Sequence, residues 1–116
     1  MTITVEAYTG ADTITTMEWS LSQNSSGPGA EATEGVFQTF IDLNALAAGD
    51  VFEFRAYEKV RTGDTQRAIY SAQFSGPQVT SVWASPTLIL GVGWDMTLKK
   101  ISGTDRTINW RISQVA

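Results

Sequence analysis

The sequence contains no cysteine and no histidine. Without cysteine the chain forgoes the disulfides on which small secreted folds lean, so its stability has to come from packing, and synthesis in a reducing cytoplasm is expected. Without either residue, serine–histidine and cysteine–histidine catalysis is excluded, together with the commonest general base and the soft metal ligands. Residues 1–20 carry neither a basic n-region nor an apolar h-region, and no stretch approaches the roughly 18 apolar residues of a membrane span. A soluble, unexported product is expected, with no membrane partner.

Basic residues are missing from the first 54 positions, which hold eight acids (Glu6, Asp12, Glu18, Glu31, Glu34, Asp42, Asp50 and Glu53) and a net charge of −8. Residues 55–116 carry all eight bases (Arg55, Lys59, Arg61, Arg67, Lys99, Lys100, Arg106 and Arg111) against Glu58, Asp64, Asp95 and Asp105, a net of +4. Two arrangements account for this asymmetry. Neighbouring strands of one chain can offset each other's charges, or an acidic edge can meet the basic edge of a neighbouring subunit. The overall charge of −4 argues against a nucleic-acid partner, whose phosphates demand a basic face.

What is present suits one globular domain. A chain of 116 residues with 42% hydrophobic and 17% charged residues can bury its own core. Alternation with period two runs almost throughout. Ile3, Val5 and Ala7 begin a first strand that Thr9-Gly10-Ala11-Asp12 should close. A second spans Ile14 to Ser22, with Met17, Trp19 and Leu21 on one face. Residues 23–35, centred on Asn24-Ser25-Ser26-Gly27-Pro28-Gly29-Ala30, read as a flexible loop or arm. Val36 to Leu43 carries large apolar groups on both sides, so this strand should be covered twice.

Leu43 to Asp50 is the one segment of helix-forming composition, worth a turn or two ending at Gly49. Val51–Val60 and Gln66–Phe74 form the clearest hairpin, joined through Arg61-Thr62-Gly63-Asp64-Thr65. Val79–Trp83 resumes an extended run before Ser85-Pro86, Leu88-Ile89-Leu90 reads as a strand buried on both faces, and Met96–Lys100 and Ile108–Ile112 complete the set. The expected fold is an all-β antiparallel sandwich of about eight strands, jelly-roll or immunoglobulin-like, with at most one short helical turn and the whole of 1–116 as one domain.

Little catalytic chemistry survives. Lys59, Lys99 and Lys100 lie among polar groups, where a lysine stays charged and makes a poor base for serine. Asp42, Asp50, Glu53 and Glu58 could pair as carboxylates, yet acids scattered along strand exteriors are ordinary solvated surface. Asp42, Asn44 and Asp50 offer oxygen ligands without a regular calcium-loop spacing. Gly91-Val92-Gly93 lacks the third glycine and the helix of a dinucleotide site. No catalytic residue, metal or cofactor is expected. Four tryptophans are the strongest unusual feature. Trp19 and Trp110 fall on apolar faces, whereas Trp83 and Trp94 lie beside turns, where they could cap the sandwich or reach a partner or a sugar.

Several runs between Val36 and Ala116 carry a resemblance. They are Val51-Phe52-Glu53-Phe54-Arg55, Glu58-Lys59-Val60, Gly63-Asp64-Thr65-Gln66-Arg67, Trp83-Ala84-Ser85-Pro86, Leu88-Ile89-Leu90-Gly91, Gly93-Trp94-Asp95-Met96-Thr97-Leu98-Lys99 and Trp110-Arg111-Ile112. In these the chain resembles small virion structural proteins of tailed bacteriophages. The resemblance implies a non-enzymatic capsid decoration or cement protein, made in the host cytoplasm and housed in the virion. Its implied partner is the major capsid protein, with a homo-oligomer, commonly a trimer, as the working form. Arg55, Lys59, Arg67, Asp42, Asp50, Glu31 and Glu34 are then candidates for the rim of an interface, with Trp83 or Trp94 as its anchor. The alternative is a carbohydrate-binding or receptor-binding module of a phage tail, using the same two tryptophans as a stacking platform.

Overall fold

The computed structural model describes residues 2–116. Ten strands follow in order: β1 (Ile3–Ile14), β2 (Trp19–Ser20), β3 (Ser25–Ser26), β4 (Gly35–Asp42), β5 (Val51–Glu58), β6 (Arg67–Ser75), β7 (Val82–Ala84), β8 (Leu88–Leu90), β9 (Asp95–Ser102) and β10 (Arg106–Val115). They form two antiparallel five-stranded sheets, the first ordered β1-β10-β4-β7 with β8 also on β4, the second β3-β2-β9-β5-β6. Ten strands stand against the expected eight or so; the unexpected one is β3, two residues of the 23–35 segment paired with β2, while β7 and β8 are two pieces of one broken edge.

The pairing is nested. β1 pairs β10, β2 pairs β9, β4 pairs β7 and β8, and β5 pairs β6, as if one long hairpin had been rolled into two layers. At the break between β7 and β8, Ser85 takes over the ladder. Its N–H donates to the Thr39 carbonyl at 2.8 Å, and its Oγ accepts the Thr39 N–H at 2.9 Å.

Alternation fills the space between the layers. Phe37, Thr39 and Ile41 of β4 and Ile108, Trp110 and Ile112 of β10 are buried from one side, and Phe52, Phe54 and Ala56 of β5 with Met96 and Leu98 of β9 from the other. The expected turn at Thr9–Asp12 is instead strand, and β1 runs straight through it. Gly10 is there for space: a Cβ would lie 2.6 Å from Cζ2 of Trp110, whose indole crosses the strand at that point.

Among the described residues there is no helix. Leu43–Asp50 makes two tight turns instead, closed by Leu46 N–H to the Leu43 carbonyl at 3.2 Å and Asp50 N–H to the Ala47 carbonyl at 3.1 Å. Eight residues are too few to nucleate a helix without strong packing. The turns serve burial by placing both Leu43 and Leu46 in the core. Leu88–Leu90 also departs from expectation, because β8 lies at a sheet edge with one face outward: Leu90 is buried while Ile89 is 84% exposed.

Candidate interaction surface

The outer faces of the two sheets differ in chemistry. On the second sheet, polar groups satisfy one another. Glu18 Oε2 accepts from the Tyr57 hydroxyl and from Thr97 Oγ1 at 2.5 Å, Arg55 Nε donates to Glu53 Oε1 at 2.6 Å, and Gln73 Nε2 donates to Glu53 Oε2 at 3.1 Å. Burial alone would raise the Glu53 pKa, but the Gln73 bond and the Arg55 charge outweigh it and hold the carboxyl below its ordinary value. Burial and the bond to Glu18 push the Tyr57 phenol up.

Asp50 is bound still more closely. Its carboxylate accepts from Arg106 Nε at 2.7 Å, Ala47 N–H at 2.9 Å and Thr104 N–H at 3.0 Å, and these bonds lower its pKa from 3.8 to about 2. Because the folded value lies below the unfolded one, this stabilisation is fully present above the unfolded pKa and is lost as pH falls through the folded pKa. Thermal midpoints measured between pH 5 and pH 2 should therefore fall across the lower part of that range. Asp50→Asn should lower the midpoint at neutral pH and flatten the acid limb. These contacts draw Glu18, Glu53 and Asp50 of the acidic half onto Tyr57, Thr97, Arg55, Gln73 and Arg106 of the other half. Part of the charge asymmetry is thus offset within the chain.

The outer face of the first sheet is apolar at one end. The registers Ile3↔Val115, Val115↔Val36 and Val36↔Ile89 lay four aliphatic residues in one row across four strands, with Ile3 58% and Ile89 84% exposed. One side of this row borders an open groove of about 600 Å³ whose lining includes Glu34, Val36, Glu58, Ile89, Val92 and Val115. On the other side is a hollow of about 220 Å³ shared by Ile3, Val5, Val36, Phe40 and Arg111. The Arg111 guanidinium lies 4.2 Å from the Phe40 ring centroid, so it caps the apolar surface through a cation–π contact. Glu58 Oε1 is fixed at the groove by the N–H groups of Gly91 at 2.7 Å and Val92 at 3.0 Å.

Two of the sequence-derived interface candidates cannot touch a partner. Trp94 is fully buried, stacked at 4.4 Å on Phe37 and edge-on to Tyr8 at 5.6 Å, and its Nε1 donates to the Thr33 carbonyl at 2.8 Å. Asp50 is 2% exposed and consumed by its internal bonds. Trp83 is half-buried against Phe54 at 5.1 Å and Phe74 at 4.9 Å, where it closes the edge of the core. Arg55 is half-buried on Glu53. Half-buried Glu31 accepts from Ser22 at 3.2 Å and Gln23 at 3.3 Å, and Asp42 caps the Asn44 N–H at 3.0 Å. Glu34 and Arg67 are exposed, and Lys59 is half-buried. Among the described residues, Glu34, Asp42, Lys59 and Arg67 make no ion pair.

The apolar row itself had one sequence signal, the double-sided pattern of Val36 to Leu43. The outward members Val36 and Phe40 are only half-buried, so the second cover expected for this strand is not supplied by the chain. Residues 23–35 meet the second sheet at several points. Ser25–Ser26 pairs with β2, Glu31 bridges to Trp94, and the fully buried Asp95 accepts from Ser22 Oγ at 2.7 Å, Gly29 N–H at 2.7 Å and its neighbour Met96 N–H at 2.8 Å.

Among the described residues, no three acidic side chains gather to hold a metal ion. No protein-family model, curated protein or solved structure matches the chain.

Proposed function

We propose that the protein is a non-enzymatic structural component of a tailed-phage virion, a capsid decoration protein that stabilises neighbouring capsid subunits. The observation that carries this reading is the row Ile3–Val115–Val36–Ile89, an apolar strip on a sheet face that the chain leaves uncovered. An exposed strip of this kind, bordered by a groove and capped by Arg111, is suited to burial against another protein. The resemblance of residues 36–116 to virion structural proteins supplies the setting, and the major capsid protein the partner. Repeated weak contacts on a symmetric shell would add through avidity.

The nested pairing supports a jelly roll as the finer architecture. With β3 set aside and β7 and β8 counted as one strand, the sheets order 1-10-4-7 and 2-9-5-6, as two interleaved Greek keys do. A sugar-stacking role is less well supported, because Trp94 lies in the core and the two-tryptophan platform is lost. Virions assembled without the protein should lose infectivity at a lower temperature than complete ones; equal survival on heating would overturn the decoration role.

A further inference from the structure

We propose that the groove beside β8 receives the β5–β6 hairpin tip of a second copy of this chain. The proposal rests on the reading of the groove as an interaction surface and names its occupant. Both charged side chains on the groove lining, Glu34 and Glu58, are acids, and its apolar lining includes Val36, Ile89, Val92 and Val115. Glu58 is partly engaged by two backbone N–H groups, while among the described residues the Glu34 side chain makes no hydrogen bond or ion pair. The complementary occupant carries an apolar side chain beside positive charge.

The chain presents such a segment. Between β5 and β6 lies Lys59-Val60-Arg61, in which Val60 is 86% exposed and the Arg61 side chain 81% exposed. Arg61 touches only Asp64 of its own tip, at 3.3 Å, a surface contact of small worth that a better-placed carboxylate can displace. Arg67 adds a third base where the hairpin returns. The tip is also set in place before any encounter. Lys59 N–H donates to the Val92 carbonyl at 2.9 Å, and the Lys59 stem crosses Gly93, where a Cβ would come within 2.8 Å of its Cε. Such preorganisation reduces the ordering cost of association.

Tip and groove are neighbours, since Glu58 lines the groove and Lys59 begins the tip. Adjacent donor and acceptor patches suit a two-fold pair, in which each copy gives its tip and receives its partner's, closing the assembly. The contact then sets Val60 on the aliphatic lining and Arg61 opposite Glu34, and leaves the Ile3, Val5 and Phe40 side of the apolar row for the capsid.

The test is sedimentation equilibrium of the purified full chain, run with Arg61→Glu, Glu34→Lys, the double charge swap and Val60→Asp. The unmodified chain should form a dimer that weakens with added salt. Each single charge reversal should weaken the dimer about tenfold, the double swap should restore most of the loss, and Val60→Asp should give monomer. Unchanged thermal midpoints will separate these effects from misfolding, as expected for exposed sites. A chain that is monomeric throughout, or an oligomer indifferent to all four variants, would overturn the proposal. Virion binding measured in parallel separates it from the decoration role. A tip-dependent dimer that ignores virions upholds this contact and defeats decoration; a monomer that binds virions does the reverse.

Discussion

Replacing Trp94 with alanine should lower the free energy of unfolding by about 3–5 kcal/mol. The indole is fully buried between Phe37 and Tyr8, so its removal leaves a void that rigid aromatic neighbours from β4 and β1 cannot fill by collapse. It also removes the hydrogen bond to the Thr33 carbonyl. Set against a typical total stability of about 5–15 kcal/mol, such a loss threatens the fold itself. Urea unfolding followed by circular dichroism will measure it. A change below about 1 kcal/mol would mean that Trp94 is a surface residue after all.

The second large effect is expected at Asp95. Its side chain is fully buried and accepts three hydrogen bonds, two of them from residues 22 and 29 on the neighbouring segment. Alanine at this position leaves the Gly29 N–H without its partner and Ser22 Oγ with only its longer bonds, such as that to Glu31, in a site shaped for a carboxylate, at a cost of roughly 2–4 kcal/mol. Asparagine retains one acceptor oxygen and should cost about half as much. The loss has a local signature as well as a global one. The Gly29 amide should exchange with solvent faster in Asp95→Ala than amides of β5 at the same overall stability, because that segment loses its anchor first. Equal acceleration at both places would show that Asp95 supports the core generally and does not act as a tether.

The strands with clean alternation were legible from the chain alone. Val51–Val60, Gln66–Phe74 and Val36–Leu43 lie within two residues of β5, β6 and β4, because a two-residue period with bulky groups on one face has few other solutions. The errors come from residues whose local meaning is set at a distance. Gly10 looks like a breaker beside Asp12, but its conformation is extended and its smallness answers to Trp110, a hundred positions away. Trp94 reads equally as a cap or as an anchor because it follows Gly91-Val92-Gly93, and only the fold shows that the Gly93 turn directs it back between Phe37 and Tyr8. The nested order of the strands rests wholly on such distant pairings, so periodicity had no access to it.

The candidate surface was half legible. The apolar character of both sides of Val36–Leu43 showed that something must lie on each of them. That Ile3, Val115 and Ile89 align with Val36 in one row depends on the registers of three strand pairs. The charged candidates fared unevenly for a related reason. An acid in a sequence carries no mark of whether it faces solvent, like Glu34, or is locked on an arginine, like Asp50.

The central claim, that the uncovered face of the first sheet docks on a phage shell, is tested most directly at Ile3, at the β1 end of the row and outside the groove. Virions assembled without the protein should be incubated with purified wild-type chain or Ile3→Asp, sedimented, and assayed for bound protein across a concentration series. Both chains should show the same thermal midpoint, since Ile3 is 58% exposed. Wild-type protein should bind saturably, and Ile3→Asp at least about tenfold more weakly, because a carboxylate within an apolar contact has to be desolvated. Equal binding by the two chains would contradict the claim.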